Sequence, residues 1–431
     1  MIDEIISQKD NLFITGGAGT GKSELLRELC ATLRKRGSRV AALGSTGIAA
    51  VNIGGQTAHS FFGFGLCGSI EELAAFDKRS KARVGKILAA IGKLDLIMID
   101  EISMISADLM DMIAYRLRQG GFGGRVILAG DFYQLPPVEK AKDKERRNLF
   151  YALYAFESAA WRELDPKFIE LTTSRRSSDA QFYELLNALR VGRLNQNAEA
   201  KLRQYAAQKE VLNSDPTHLF GRNLEADRLN EARLKRIESR EYQFEAQISA
   251  AKGASEKQVE SFLRSISAPL TLRLKVGAPV LFTVNEAESY YNGERGMVIG
   301  IDEDEFGEPL IAVRKENGAI ATVSRYSFDY EEQGAENAKK LVSVKQFPLR
   351  LAWAITIHKS QGMSILDLAI NLNHLFEFGQ FYVAVSRAID PKRLYLQSDF
   401  DPIRLIKSAL KANPLVDRFY ELEKSRLQSQ R

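Results

Sequence analysis

The chain has 431 residues, too many for one hydrophobic core to organise, so more than one domain is expected. Hydrophobic residues make up 45% and charged residues 27%, which excludes a disordered or fibrous chain, and no apolar run approaches the roughly 18 residues that span a bilayer. The net charge of +5 permits a nucleic-acid partner without requiring one, and Cys30 and Cys67 are too few for a disulfide framework or a zinc cluster.

The first residues, Met1 to Asn11, lack the features of a secretory or transit peptide, so a cytosolic protein is expected, without membrane association. Apolar runs at Asn11–Thr15, Arg39–Leu43, Leu94–Ile99 and Arg125–Ala129 alternate with helical stretches. Each ends in glycine, aspartate or a polar loop, as buried parallel strands of an α/β protein do. A stretch from Phe62 to Ile91 interrupts this first series. A second series follows at His218–Phe220, Ala278–Thr283, Leu351–Ile357, Leu366–Leu372 and Arg393–Gln397, which predicts a second α/β lobe. Within it, about residues 293–345, short β-rich pieces at Gly296–Ile301, Leu310–Arg314 and Ala319–Val323 predict a small inserted β-domain. The basic runs Lys140–Arg147 and Lys424–Arg431 read as solvated loop and tail.

Ligand sites in parallel sheets lie beyond the carboxyl ends of the strands. After the first run stands Gly16-Gly17-Ala18-Gly19-Thr20-Gly21-Lys22-Ser23, a full G-x-x-x-x-G-K-[ST] pattern, and Glu24 then continues into a helical stretch. Backbone N–H groups of such a loop close around phosphate oxygens at a helix N-terminus. Lys22 then faces the β- and γ-phosphates, and the Ser23 hydroxyl is a ligand for Mg²⁺. The third run ends in Asp100-Glu101. A carboxylate at that strand end can hold Mg²⁺ and its neighbour can deprotonate water, so Asp100 is the candidate metal residue and Glu101 the candidate general base. These residues predict a Mg-dependent NTPase and leave open what the hydrolysis drives.

Further runs carry a resemblance over nearly the whole chain: Ser45-Thr46-Gly47-Ile48-Ala49-Ala50, Gly54-Gly55-Gln56-Thr57-Ala58-His59-Ser60-Phe61-Phe62, and Gly130-Asp131-Phe132-Tyr133-Gln134-Leu135-Pro136-Pro137-Val138. Later come Leu171-Thr172-Thr173-Ser174-Arg175-Arg176, Ala354-Ile355-Thr356-Ile357-His358-Lys359-Ser360-Gln361-Gly362, and Gly379-Gln380-Phe381-Tyr382-Val383-Ala384-Val385-Ser386-Arg387-Ala388. In this order they resemble the motifs of the petite-integration-frequency (Pif) type of DNA helicase in superfamily 1. The resemblance implies two RecA-like parallel-sheet domains in tandem, 1–170 and 171–431. A wedge insertion at about 62–91 and an SH3-like β-barrel insertion at about 293–345 come with it.

It also implies roles. Gln134 would sense the γ-phosphate, and Arg176 and Arg387 would be the arginines that neutralise the transferring phosphoryl group. ATP and Mg²⁺ would be the cofactors. Movement on single-stranded DNA would run 5′ to 3′, with hydrolysis between the domains driving each step. The partners would be single strands and DNA with a 5′ single-stranded tail, with forked or G-quadruplex DNA among the structured substrates. A monomer in the bacterial cytosol is the implied state.

Single-strand tracking needs polar or basic groups for the backbone and surfaces on which bases stack. Thr46, Gly47, His59, Ser60, Phe61, Phe62, His358, Lys359 and Ser360 are the candidates. Core packing is the alternative for Phe61 and Phe62, with one of the two buried. A translocase that strips proteins from DNA, and a nucleotide-switched binding module, are the competing readings of the whole.

Overall fold

A computed structural model describes residues 2–65, 67–137, 152–173, 179–251, 254, 256–266, 268–284, 286, 289–290, 294–332 and 339–429. It divides into two compact units, Met1–Ser214 with Ile357–Arg431, and Asp215–Thr356.

The first unit is built on strands β1 (Leu12–Gly16), β2 (Val40–Gly44), β3 (Gln56–Thr57), β4 (Leu96–Asp100), β5 (Arg125–Gly130) and β6 (Lys167–Leu171). They form one six-stranded sheet in the order β3-β2-β4-β5-β1-β6, with every pair parallel. The expected runs of this lobe are therefore strands. They carry continuous apolar residues because both faces of the sheet are covered. Alternation along each strand divides the core in two. Phe13, Ile97 and Leu128 face one layer, and Ile14, Met98 and Ile127 face the other with Leu25, Leu26 and Leu29 of the helix Lys22–Lys35.

The first layer is aromatic. Phe13 lies 5.3 Å from Phe132 and 5.2 Å from Trp161, and the helix Pro414–Ser429 adds Phe419, stacked on Phe156 at 4.4 Å. The basic run from Lys424, expected as a solvated tail, continues this helix through Ser429. Val416, Phe419 and Tyr420 bury one face of it and hold the rest in helical register. The basic loop expected at Lys140–Arg147 lies outside the described residues. The insertion between β3 and β4 is a pair of helices, Ile70–Arg79 and Lys81–Ile91. Its acidic residue Asp77 is no surface ornament: it grips the fully buried Arg116 at 2.5 and 2.7 Å.

In the second unit Thr217–Phe220 pairs parallel with Ala354–Thr356. Pro279–Phe282, expected as one more strand of the parallel lobe, instead pairs antiparallel with Arg295–Glu303 and with Leu349–Leu351. It belongs to a five-stranded antiparallel sheet completed by Pro309–Lys315 and Ile320–Val323. Burial of all four of its residues makes its sequence indistinguishable from a parallel core strand. The β-rich region is also larger than 293–345, since Gln247–Ala250 joins Lys339–Gln346 and Tyr326–Glu332 in a three-stranded sheet. Among the described residues no helix is long and apolar enough to cross a membrane.

Candidate nucleotide-binding site

β1 delivers the chain at Gly16, and the helix Lys22–Lys35 receives it after a short turn. Gly21 caps that helix at φ 85°, a left-handed conformation that a Cβ would strain. Thr20 stiffens the turn from within: its hydroxyl, buried, donates to the Gly17 carbonyl at 2.8 Å. Lys22 Nζ donates to the carbonyls of Gly16 at 2.8 Å and Gly17 at 3.0 Å. Burial pulls the Lys22 ammonium below its usual range, against the opposing charges of Asp131 and Glu101. A buried cation held by neutral carbonyls gains from an anionic ligand.

β4 ends at Asp100, also buried. Its Oδ1 accepts the Glu101 N–H at 2.9 Å, and the Ser23 hydroxyl stands beside the same carboxylate, where it favours the charged form. Among the described residues Asp100 Oδ2 has no hydrogen-bond partner. Burial, and then the neighbouring Glu101 charge, pushes the Asp100 carboxyl up to about 7. An orphaned carboxylate oxygen beside a serine hydroxyl is the oxygen donor set a hard cation such as Mg²⁺ takes. The described residues contain no group of three or more His, Cys, Asp or Glu side chains suited to a metal. Mg²⁺ does not need one, because phosphate oxygens and water complete its shell.

Glu101 has φ 55°, left-handed backbone that costs a non-glycine residue energy and is commonly found at functional sites. Its Oε2 accepts the side-chain amide of Gln361 at 3.1 Å. Lys22, Ser23, Glu101, Gln134 and Arg387 line one pocket of about 340 Å³, together with Ala18, Gly19, Gly21 and Glu24 of the loop. Gln134 is buried, and among the described residues its Oε1 has no hydrogen-bond partner. The segment bearing Arg387 comes close because residue 379 is glycine. At φ 70°, a Cβ there would stand 2.4 Å from the Tyr133 carbonyl oxygen and 2.7 Å from that of Gln134. Arg387 itself is buried, with Nε donating to the Val383 carbonyl at 3.0 Å and Nη2 to Ser386 Oγ at 2.8 Å. Arg176 lies outside the described residues, as do Val138 and residues 291–293.

The strand-track candidates divide. Thr46 is half-buried and accepts the Ala49 N–H at 3.2 Å, which caps the helix Gly47–Asn52. His59 and Ser60 are exposed on the helix Ala58–Phe62, and Lys359 is exposed on the turn His358–Ser360. His358, half-buried, pairs with Glu377 at 2.8 Å. Among the described residues Phe62 and Ser360 are the two buried candidates. Phe62 is 0% exposed and stacked on Phe64 with ring centroids 5.4 Å apart, so it is core and offers no face to a base, while Phe61 is half-buried. Ser360 is also fully buried, and its hydroxyl donates to the Ile357 carbonyl at 2.8 Å.

Sequence reasoning passed over Gln361, Gly362, Asn52 and Tyr382. The first three touch Glu101 or line the pocket, and Tyr382 donates to Asp131 and accepts from the loop amide of Ala18. Gln361 and Gly362 stand in a run singled out for its neighbours, so position was the available signal. Tyr382 stands in such a run as well, whereas Asn52 stands in none.

Comparison with known proteins bears on this geometry. A family model described as PIF1-like helicase matches residues 1–200, and one described as Helicase matches residues 279–417. The chain is 39% identical over 406 residues to the ATP-dependent DNA helicase Pif1 of Campylobacter jejuni, covering 92% of this chain and 90% of that protein. The Candida albicans Pif1 helicase structure superposes with a TM-score of 0.81 at 32% identity, over 97% of each chain. A Bacteroides Pif1 helicase in complex with ADP-AlF3 and single-stranded DNA gives 0.76 at 31% identity, over 98% of this chain and 96% of that one.

Proposed function

Because this chain belongs to the PIF1-like helicase family, we propose that it is an ATP-dependent DNA helicase that moves 5′ to 3′ on single strands and unwinds tailed duplexes. The observation that carries the reading is the gathering of Lys22, Ser23, Glu101, Gln134 and Arg387 around one pocket beyond the ends of β1 and β4. A binding module that only switched with nucleotide would need the loop. It would not need a carboxylate oriented for proton abstraction together with a buried arginine.

The residues take the following parts. Loop amides and Lys22 hold the β- and γ-phosphates, Lys22 exchanging its carbonyl partners for phosphate oxygens. Glu101, oriented by Gln361, accepts a proton from the attacking water. Gln134, whose buried Oε1 has no partner among the described residues, lines the same pocket and would sense the γ-phosphate and that water. Arg387, with Arg176, neutralises charge on the phosphoryl group in flight. Ser23 and Asp100 would hold Mg²⁺, which supplies charge neutralisation at the phosphates.

Exposed Lys359, His59 and Ser60 and the turn at Thr46-Gly47 are the groups we assign to the DNA backbone. The same reading includes two RecA-like lobes, 1–170 and 171–431, whose nucleotide-dependent closing and opening becomes a step. It also includes an SH3-like closure of the inserted β-strands and the cytosol as the compartment. The direct test is steady-state ATPase with and without single-stranded DNA. Stimulation of about tenfold or more supports the reading, since a nucleic-acid motor turns over fast only with its strand bound, and tenfold is about 1.4 kcal/mol off the barrier. An ATPase indifferent to DNA would leave a bare NTPase.

A further inference from the structure

A buried polar cluster stands beside the phosphate loop and outside the hydrolytic set. Asp131, fully buried just after β5, accepts from Arg190 Nε at 3.0 and 2.9 Å, from the Tyr382 hydroxyl at 3.3 Å and from the Tyr420 hydroxyl at 3.4 Å. Arg190 ends the helix Ala180–Arg190, Tyr382 lies on the helix Gln380–Val385 and Tyr420 on Pro414–Ser429. Arg190 and Asp131 balance each other's charge in a place where neither would be tolerated alone. Both tyrosines are pushed well above their usual range, by burial first and then by the Asp131 charge, so each keeps a proton to donate to that carboxylate.

The two hydroxyls differ in their second contact. Tyr420 meets Thr15 Oγ1 at 2.8 Å and accepts the Phe132 N–H at 3.1 Å, both at strand ends in the core. Tyr382 accepts the Ala18 N–H at 2.7 Å, in the phosphate loop itself. That loop is glycine-rich and has few side chains with which to hold its shape. Two of its anchors are the Lys22 bonds to the carbonyls of Gly16 and Gly17, and an ammonium that moves to a phosphate must leave them. The Tyr382 bond to Ala18 makes no such demand. It also joins the loop to the short helix whose next turn carries Arg387 into the same pocket.

We propose that Tyr382 is a positioning residue for the nucleotide, its hydroxyl bridging the Ala18 amide and Asp131 so that the phosphate loop keeps its receiving shape when Lys22 turns to its ligand. The inference rests on the reading of the pocket as an ATP site. A fully buried tyrosine bridging a loop amide and a carboxylate acts through the loop and touches no phosphate. Its loss therefore shows in nucleotide affinity before it shows in turnover.

The test compares Tyr382→Phe with Tyr420→Phe, each of which removes one hydroxyl from Asp131 and leaves Arg190 in place. Fluorescent ADP titration and steady-state ATPase are measured, with thermal melting as the control on the fold. Tyr382→Phe is expected to raise the ADP Kd and the ATP KM about 5- to 30-fold, with kcat within about threefold of wild type, the effect of one lost hydrogen bond. Tyr420→Phe is expected to lower the melting temperature about as much as Tyr382→Phe does and to leave Kd and KM within about twofold. Unchanged affinity in Tyr382→Phe, or an equal loss in both variants, overturns the positioning role and leaves the cluster as packing alone. A wild-type protein that binds no ADP overturns the site reading and this inference with it.

Discussion

Gln361 donates its side-chain amide to Glu101 Oε2 at 3.1 Å, and so fixes the carboxylate that follows β4 from a turn more than 250 positions later in the chain (|i−j| = 260). The bond lies at the edge of the nucleotide pocket, where a general base must be held in one rotamer to be useful. Gln361→Ala should therefore lower the DNA-stimulated kcat by about 10- to 100-fold, the value of a hydrogen bond to a charged group, with ATP affinity nearly unchanged. Glu101→Gln should still bind ATP and lose about 100-fold or more in kcat. A Gln361→Ala enzyme with full turnover would remove Gln361 from the mechanism.

Lys22 is buried, and desolvation works against its charge. Lys22→Ala should abolish ATPase while leaving the melting temperature equal or higher, because the fold no longer has to bury an ammonium. Calorimetry beside an ATPase assay checks both halves. A large drop in melting temperature would mean that Lys22 is structural first.

The helical insertion should depend on one ion pair. Arg116 is fully buried against Asp77 at 2.5 Å, whereas its neighbour Arg118 meets Glu163 at 2.6 Å with both side chains more than half exposed. Arg116→Ala should cost about 3–5 kcal/mol, because it strands a carboxylate and opens a cavity. Arg118→Ala should cost less than about 1 kcal/mol. Denaturant unfolding of the two variants gives the comparison, and equal costs would contradict it.

Phe62 and Lys359 provide a contrast between core and strand track. Phe62→Ala should lose about 3–5 kcal/mol of stability, with single-strand affinity per folded molecule unchanged. Lys359→Ala should leave stability alone, weaken single-strand binding and reduce its salt dependence by about one charge. Fluorescence anisotropy at several salt concentrations would show it. An unchanged salt slope would move the backbone contact to another residue.

How much of this was legible in the chain follows from how local each signal is. The phosphate loop and Asp100-Glu101 are contiguous patterns at the ends of apolar runs, and the fold puts them where such runs put ligand sites. Pro279–Phe282 was misread because four buried apolar residues look alike in a parallel and an antiparallel sheet. The burial of Phe62 and Ser360 was open for a related reason, since a motif names a residue and does not say which way it faces. Tyr382 and Gln361 were missed because their partners, Ala18 and Glu101, are hundreds of positions away. No periodicity records such a pairing.

ATP-dependent unwinding should be measured on matched duplexes carrying a 5′ tail, a 3′ tail or no tail. Displacement of the 5′-tailed duplex alone is expected, and none for Lys22→Ala. Preference for the 3′ tail would contradict the proposed polarity. DNA-stimulated ATPase with no displacement on any of the three would contradict the helicase itself and leave a translocase.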